Sequence, residues 1–371
     1  MTTKTTTNSL PIALDILIAR SVERAGGWIG FDRFMALALY APGLGYYANS
    51  SAKFGHMPSS GSDFVTAPEL TPMFGQALAA QVAEALAKTG TDTVWEFGAG
   101  TGALAVQLLH ALDEMGRGDV RYRIVDLSGT LRERQQQALA RYIDRVEWLG
   151  ELPEAMQGVV VGNEVLDAMP VQLLARVGGQ WFERGVVRNA RADGWAWADR
   201  ETALRPPFEV PGEHDYLTEI HPQAEAFVAT LADRLKSGAA FFIDYGFPER
   251  EYYHPQRHMG TVMCHRAHQA DGDPLSDVGY KDITVHVNFT GIALAGQEAG
   301  LEVLGYTSQA RFLLNCGLLE RMGQGSTAER GMAARLVHEH EMGELFKVVG
   351  FAVGEGWEAM GFAEGDRSHT L

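Results

Sequence analysis

The sequence predicts an α/β fold in which a parallel sheet is covered by helices on both faces. Between residues 92 and 163, short apolar segments alternate with segments that carry apolar residues at helical spacing. Strands that alternate with helices form parallel sheets, because each crossover helix returns the chain to the same end of the sheet. The predicted elements are strands at 93–97, 122–126, 146–149, 158–163 and 239–244, with helices at 103–115, 131–142 and 219–235.

The segments around this core predict additional structure. Residues 1–10 are polar and are expected to form a disordered tail, and residues 11–90 carry helical patterns separated by turn-rich loops. Short alternating segments from about 172 to 215 predict a β-hairpin inserted into the core, which spans 91–250. Residues 251–371 are expected to hold a substrate lid and the two strands that close the sheet.

The composition excludes some classes of partner. The chain has 371 residues and a net charge of −16, which argues against a nucleic-acid backbone as the main partner. An acidic protein suits a cationic partner, although the charge also serves solubility. No apolar run reaches the length of a membrane span, so no membrane insertion is expected. A homodimer is left open.

Cysteine content and the start of the chain predict the compartment. Two cysteines, Cys264 and Cys316, are too few for a disulfide framework, which indicates a reducing environment. The first residues lack the apolar core of a signal peptide and the arginine-rich pattern of a mitochondrial presequence. A cytoplasmic location is therefore expected.

A glycine-rich turn follows the first core strand and predicts a nucleoside ligand. Glycine lets the backbone approach a ligand closely, and the next helix begins with free N–H groups. Glu96 stands two residues before Gly98, where a carboxylate suits a ligand with an ammonium group, such as the methionine end of S-adenosylmethionine. A dinucleotide is the main alternative, because Gly98-x-Gly100-x-x-Ala103 also fits the looser dinucleotide pattern. Ala99 is included among the cofactor residues.

The second core strand ends in another acid. Asp126 lies 24 residues after Gly102, where a carboxylate accepts hydrogen bonds from ribose hydroxyls. NAD uses the same interaction, so Asp126 and the following Leu127 support a nucleoside without choosing between the two ligands. Together with Glu96, however, the pattern favours S-adenosylmethionine.

Polar residues also follow the strand predicted at 158–163. Ligands bind beyond the carboxyl ends of parallel strands, so Asn163, Glu164 and Asp167 are expected to face the reacting methyl group. If a helical turn starts at Val165, the two carboxylates share one face and can hold a guanidinium group, and one can accept a proton. Alternatively, Asp167 complements a helix dipole.

Histidines cluster between residues 253 and 273, and a metal site is conceivable from the residue types alone. Their spacing matches no standard zinc finger, and Arg257 and Arg266 would repel a cation. The sequence therefore predicts no metal. Contact with substrate, or simple solvation, explains these loop histidines better.

Several motifs together identify a family resemblance. They are Y-x-P-x-x-G-Y-Y at 40–47, G-S-D-F-x-T-A-P-E at 61–69, W-E-F-G-A-G-T-G at 95–102, N-E-x-x-D-A-x-P at 163–170, I-D-Y-G at 243–246 and D-I-T-x-H-V-x-F at 282–289. As a set they resemble the MidA-like family of S-adenosylmethionine-dependent methyltransferases, which includes the mitochondrial complex I assembly factor with protein-arginine methyltransferase activity. Two positions depart from the family pattern. The family has aspartate where this chain has Asn288, and more often glutamate where this chain has Asp126.

This resemblance implies a Rossmann-like, seven-stranded class I methyltransferase sheet with a helical amino-terminal cap, an inserted hairpin and a carboxy-terminal lid. The implied activity is symmetric dimethylation of an arginine on a respiratory complex I subunit, with S-adenosyl-L-methionine as cofactor. The alternatives left open are a non-catalytic assembly factor that binds this cofactor, a methyltransferase for a small molecule and a nicotinamide-dependent oxidoreductase.

The resemblance also implies roles for individual residues. The loop at 63–69 is expected to cover the cofactor, with Phe64, Thr66 and Pro68 near the methionine group, and Asn163 is assigned to the cofactor as well. Glu164 and Asp167 are the predicted catalytic residues. The predicted substrate-binding residues are His268, Asp282 and His286.

Overall fold

The computed structural model describes residues 9–49, 65–126 and 129–371. Its helices are α1 Ser9–Arg24, α2 Phe31–Tyr40, α3 Ala67–Leu70, α4 Met73–Thr89, α5 Ala103–Glu114, α6 Gly129–Ala138, α7 Pro222–Arg234, α8 Glu249–Tyr252, α9 Phe289–Glu298, α10 Gln309–Asn315, α11 Leu318–Gln324 and α12 Thr327–Val337. Its strands are β1 Ile29–Gly30, β2 Thr93–Phe97, β3 Arg121–Val125, β4 Val146–Leu149, β5 Met156–Asn163, β6 Gln172–Val177, β7 Gln180–Arg188, β8 Trp195–Glu201, β9 Tyr216–Ile220, β10 Leu235–Phe247, β11 Met263–Arg266, β12 Gln269–Asp271, β13 Asp282–Thr284, β14 Val287–Asn288, β15 Leu301–Ser308 and β16 Phe346–Val353.

The central sheet has the strand order β15-β16-β10-β5-β2-β3-β4. The strands from β10 to β4 are parallel, and β16 is antiparallel to both of its neighbours. The two-residue strand β14 adds an eighth member beside β10. The predicted α/β fold class is confirmed, with seven strands along the path and one short strand outside it.

The core strands are apolar along their length because both faces of the sheet are covered. On β5, Val159 and Val161 pack in a cluster with helices α4 and α5, whereas Val160 packs on the opposite face with helices α7 and α9. The alternation follows from the two-residue side-chain period of a strand. The chain order reverses between β2 and β5, which places the ligand crevice at the carboxyl ends of these strands.

A second sheet differs from the predicted hairpin. It has five antiparallel strands, in the order β1-β7-β6-β9 with β8 beside β7. The structure corrects the sequence interpretation here in two ways: residues 29–30 of the cap contribute an edge strand, and residues 219–220, expected in a helix, end β9. The pairing partners are distant along the chain, so local patterns could not reveal them.

The amino-terminal cap and the lid region pack on one another. Helix α1 begins at Ser9, so residues 9 and 10 are helical rather than part of the predicted tail. Strands β12, β11 and β13 form a small antiparallel sheet, and Cys264 and Ile283 from it join the same apolar cluster as Phe34 of α2. Among the described helices, none combines the length and apolarity needed to span a bilayer.

Candidate functional site

A cavity of about 1540 Å³ lies at the carboxyl ends of β2, β3, β5 and β10. Small-ligand pockets usually measure roughly 300–1,000 Å³, so this cavity has room for a nucleoside cofactor and for part of a second molecule. Its walls come from the cap, the central sheet and the lid region. One half contains the glycine-rich turn and Asp126, and is called here the cofactor half. The other half contains Glu164, Asp167 and Asp282, and is called the acceptor half.

The glycine-rich turn fits a ligand that approaches the backbone closely. Gly100 has a φ of 53°, in the left-handed region that favours glycine. A Cβ atom built on Gly100 has no atom of the described residues within 4 Å, apart from its two chain neighbours, and the residue lines the cavity together with Ala99. A larger side chain at Gly100 would therefore occupy ligand space without a clash inside the protein.

Glu96 lies at the base of the cofactor half. It is 2% exposed, and its Oε2 accepts a hydrogen bond from the Tyr122 hydroxyl at 2.8 Å. Burial raises the pKa of Glu96 to about 8, partly offset by the Tyr122 hydrogen bond. The bound ammonium group that the sequence predicts would favour the charged carboxylate and would lower this pKa.

The helix α3 of the cap is hydrogen-bonded to the glycine-rich turn. The hydroxyl of Thr101 donates to the carboxylate of Glu69, and the Gln107 amide donates to the Pro68 carbonyl at 2.7 Å. Thr66 and Pro68, which the sequence analysis assigns to the cofactor, line the cavity. Phe64 and Leu127, the two other residues assigned to the cofactor, lie outside the described residues. The sequence interpretation missed Glu69 as a link, although it stands in a quoted motif.

Asp126 at the end of β3 has a neighbour that the sequence interpretation also missed. Its Oδ2 accepts a hydrogen bond from the side-chain amide of Gln135 at 2.9 Å, and the same amide donates to the Gly100 carbonyl at 3.0 Å. Gln135 stands in a strongly polar helix, where a glutamine is usually solvent-exposed. No local signal in the sequence indicated that it is buried.

The turn after β5 is not helical, so the helical turn from Val165 that was considered as one arrangement does not form. Asp244 holds this turn, because its Oδ2 accepts the backbone N–H groups of Val165, Leu166 and Asp167 at 3.1, 2.9 and 3.2 Å. Glu164 has a φ of 52°, a left-handed conformation that costs free energy for a residue with a Cβ atom. The strained turn directs both carboxylates to the acceptor half of the cavity.

The two predicted catalytic carboxylates have different hydrogen-bond partners. Glu164 accepts from the Asn163 side-chain amide at 3.0 Å and from the Ala67 backbone, and the hydroxyl of Tyr245 donates to Asp167. Burial, followed by the nearby charge of Asp167, raises the pKa of Glu164 to about 8, and burial raises the pKa of Asp167 to about 6.

Three buried side-chain oxygens on residues that line the cavity lack hydrogen-bond partners among the described residues. They are the hydroxyl of Thr284 and two carbonyl-type acceptors, Oδ1 of Asp167 and Oδ1 of Asn163. Buried polar atoms are rarely left unsatisfied, because each costs about 1–3 kcal/mol. This pair of acceptors fits a ligand that brings N–H donors.

The predicted substrate residues separate into two groups. Asp282 and His286 line the cavity, and both oxygens of Asp282 accept the Tyr47 hydroxyl, at 2.8 and 2.9 Å. Burial lowers the pKa of His286 to about 4, so its imidazole is neutral at pH 7. The structure does not bring His268 to the cavity lining. Ala267 and His268 form the exposed two-residue tip between β11 and β12, with φ values of 50° and 60°.

The remaining predicted features have local structural roles. Asn288, which replaces the family's aspartate, begins helix α9 and accepts the Gly291 N–H at 3.4 Å. It is not among the residues that line the cavity. Within the described part of the chain, no group of three or more histidine, cysteine or carboxylate side chains has the arrangement of a metal site.

Comparisons with known proteins agree with this geometry. Residues 77–307 match the model of a family described as "Putative S-adenosyl-L-methionine-dependent methyltransferase". The chain is 48% identical to a solved "likely methyl transferase from Burkholderia thailandensis bound to S-adenosyl-homocysteine", with a TM-score of 0.94 and 100% of both chains covered. A native crystal structure of a protein from the same organism is 46% identical, with a TM-score of 0.90 and the same coverage.

More distant relatives have assigned names. The Caenorhabditis elegans protein arginine methyltransferase NDUFAF7 homolog, mitochondrial, is 26% identical over 331 residues, covering 81% of this chain and 75% of the relative. The human protein arginine methyltransferase NDUFAF7, mitochondrial, is 25% identical over 377 residues, covering 87% and 80%.

These comparisons confirm the predicted cofactor and contradict the predicted location. The family description and the bound S-adenosyl-homocysteine confirm S-adenosyl-L-methionine as the cofactor, in place of a dinucleotide. The predicted cytoplasmic location is wrong, because the curated relatives are named as mitochondrial proteins. Absence of a recognisable presequence was too weak a basis for that prediction.

Proposed function

This chain belongs to the family of S-adenosyl-L-methionine-dependent methyltransferases, and we propose that its methyl acceptor is the guanidinium group of an arginine in a protein. The observation that carries the proposal is the buried Oδ1 of Asp167, which has no hydrogen-bond partner among the described residues, together with the carboxylate of Glu164 in the acceptor half. Relatives named protein arginine methyltransferases, at about 25% identity, support the same acceptor.

The charges in the acceptor half favour a cation. Glu164, Asp167 and Asp282 contribute carboxyl groups to the wall, and a planar guanidinium offers several N–H donors to such oxygens. Arg257 also lines the cavity, but its guanidinium lies 3.8 Å from the ring centroid of Phe247 and pairs with Glu251 at 3.2 Å. Its charge is therefore partly compensated, although it still contributes to the lowered pKa of His286.

The chemistry divides between positioning and proton transfer. The bound cofactor supplies a methyl group on a positively charged sulfur. Asp167, held by Tyr245 and by the Asp244 turn, orients the guanidinium so that one nitrogen faces the methyl group. Alignment of the reacting atoms supplies most of the acceleration in such transfers.

The acceptor nitrogen gains a carbon and must lose a proton. Glu164 is the group assigned to accept it, because its raised pKa of about 8 makes it a stronger base than an ordinary carboxylate. A bound guanidinium keeps Glu164 ionised until methyl transfer adds a second positive charge to the acceptor. The proton then passes to Glu164, and the methylguanidinium product keeps a single positive charge. The family resemblance extends the proposal to symmetric dimethylation and to a subunit of respiratory complex I as the protein acceptor.

The test uses purified protein, S-adenosylmethionine labelled in the methyl group and extract from a strain that lacks the protein. Labelled protein is hydrolysed to amino acids, and the labelled product is separated by chromatography. The proposal predicts label in methylarginine with the wild-type chain and none with Gly100→Val. Label in another amino acid, or only in small molecules, contradicts the arginine acceptor. Cofactor binding without any transfer points to a non-catalytic role in assembly.

A further inference from the structure

Helix α6 carries an unusual buried residue. Gln135 is fully buried, and the sequence around it, R-E-R-Q-Q-Q-A at 132–138, is otherwise polar. An amphipathic helix normally places an apolar side chain at the position that faces the protein. Burying an amide instead is unfavourable unless its hydrogen bonds are made, so the residue needs a specific explanation.

The hydrogen bonds of Gln135 fix the orientation of its amide. The indole N–H of Trp148, which can only donate, points to Oε1 of Gln135 at 2.9 Å. The NH₂ group must therefore face the other way, towards the Gly100 carbonyl at 3.0 Å and Oδ2 of Asp126 at 2.9 Å. One side chain thus joins β4, the glycine-rich turn and the end of β3.

The glycine-rich turn packs against this helix. A Cβ atom built on Gly102 would lie 3.4 Å from the Cα atom of Gln135 and 3.6 Å from its Cβ atom. Gly102 has a φ of 87°, so its backbone conformation favours glycine, and a Cβ atom at this position would be in van der Waals contact with α6. The third glycine of the turn therefore packs against α6, whereas Gly100 faces the cavity.

We propose that Gln135 is a positioning residue that holds the Asp126 carboxylate in the orientation needed to accept the ribose hydroxyls of the cofactor. The inference rests on the assignment of Asp126 to the ribose. Without the amide, the Gly100 carbonyl and the Asp126 carboxylate each lose a donor, and the carboxylate is held less firmly. Trp148 acts one step further out, because it selects which end of the amide faces the site.

The test measures the binding of two ligands by calorimetry: S-adenosyl-homocysteine and its analogue without the two ribose hydroxyls. The main variant is Gln135→Met, which keeps an unbranched side chain of similar length but removes the amide. Trp148→Phe is the second variant, since it keeps an aromatic ring and removes the indole donor. Asp126→Ala is the control for the assignment of the ribose site.

A positioning role predicts a loss that depends on the hydroxyls. Gln135→Met is expected to weaken S-adenosyl-homocysteine binding about 10–30-fold and binding of the analogue less than about threefold. Trp148→Phe is expected to show the same dependence with a loss of about three- to tenfold. Asp126→Ala is expected to bind the two ligands with nearly equal affinity.

Three results would overturn the inference. An equal loss for both ligands in Gln135→Met means that the residue serves packing alone, and no loss means that the amide is dispensable. If Asp126→Ala retains the full preference for the ribose hydroxyls, the ribose is bound elsewhere. That last result would reject the placement of the cofactor as well as the role of Gln135, so the two failures are distinguishable.

Discussion

The two halves of the cavity differ in how their polar groups are satisfied. In the cofactor half, the amide of Gln135 bonds to Asp126 and Gly100, and Thr101 bonds to Glu69, so the protein itself fixes the wall. In the acceptor half, Oδ1 of Asp167 is buried without a partner among the described residues. Glu164, beside it, occupies a left-handed backbone conformation.

This difference indicates that the two halves of the cavity have different roles. A wall whose hydrogen bonds are already made is preorganised, so little free energy is lost in ordering it when the cofactor binds. Acceptors without partners raise the free energy of the empty site, and this cost is removed only when a ligand brings donors to them. We therefore expect substitutions in the first half to change binding of the cofactor and those in the second half to change transfer.

The largest expected effect is on cofactor binding. Gly100→Val places a side chain in the cavity and should abolish binding of S-adenosyl-homocysteine in calorimetry. Gly116→Val is the matched control, because Gly116 also has a positive φ, of 77°, and a built Cβ has no atom of the described, non-adjacent residues within 4 Å, yet Gly116 lies outside the cavity. Both variants carry a backbone penalty of roughly 1–2 kcal/mol. Equal binding by the two variants would show that the cofactor does not lie against Gly100.

A smaller effect is expected from Asp167→Asn. The substitution replaces the unpartnered carboxylate oxygen with a neutral group, so kcat/KM for the protein acceptor should fall about 10–100-fold. Calorimetry should show S-adenosyl-homocysteine affinity unchanged within about threefold. Glu114→Gln, an exposed change in α5, is the control for charge. Parallel loss of binding and transfer would remove the distinction between the two halves.

The pH dependence of transfer sharpens the comparison. Both carboxyl groups have raised pKa values, about 6 for Asp167 and about 8 for Glu164, so each is protonated at low pH and becomes able to bind a cation as the pH rises. At saturating cofactor, kcat/KM should therefore increase through these two values. Glu164→Gln should remove the upper inflection. A profile that falls over this range has the wrong sign for paired acidic groups.

The smallest effect is expected from Tyr245→Phe. The hydroxyl of Tyr245 donates to Asp167 and favours its ionised form. Its loss should raise the pKa of Asp167, move the lower inflection of the pH profile upward and reduce kcat/KM about tenfold or less. An unchanged inflection would indicate that Asp167 does not control the rate.

The sequence predicted the central sheet well because its strands are buried on both faces. Strands β2 and β4 have the predicted bounds, since a short apolar run between turn residues is a local signal. The five-stranded second sheet was incompletely predicted because β1 and β9 pair with strands far away in the chain. Pairing over such distances leaves no mark on local periodicity.

The same distinction between local signals and long-range contacts applies to the site. Strand ends place Glu96, Asp126 and Glu164 at one edge of the sheet, so their presence at the cavity follows from the fold. Asp244 and Gln135 act through hydrogen bonds to residues distant in sequence, and their roles are visible only in three dimensions. His268 was expected at the substrate from its residue type, but the hairpin turn carries it to an exposed tip.

The most direct test of the division between the two halves uses one preparation of Glu164→Gln. Its affinity for S-adenosyl-homocysteine and its rate of methylarginine formation are measured together with those of the wild-type chain. We predict affinity within about threefold of wild type and a rate about 10²–10⁴-fold lower, because the substitution removes the proton acceptor and leaves the cofactor half intact. Wild-type rates in this variant would contradict the assignment of the acceptor half to methyl transfer.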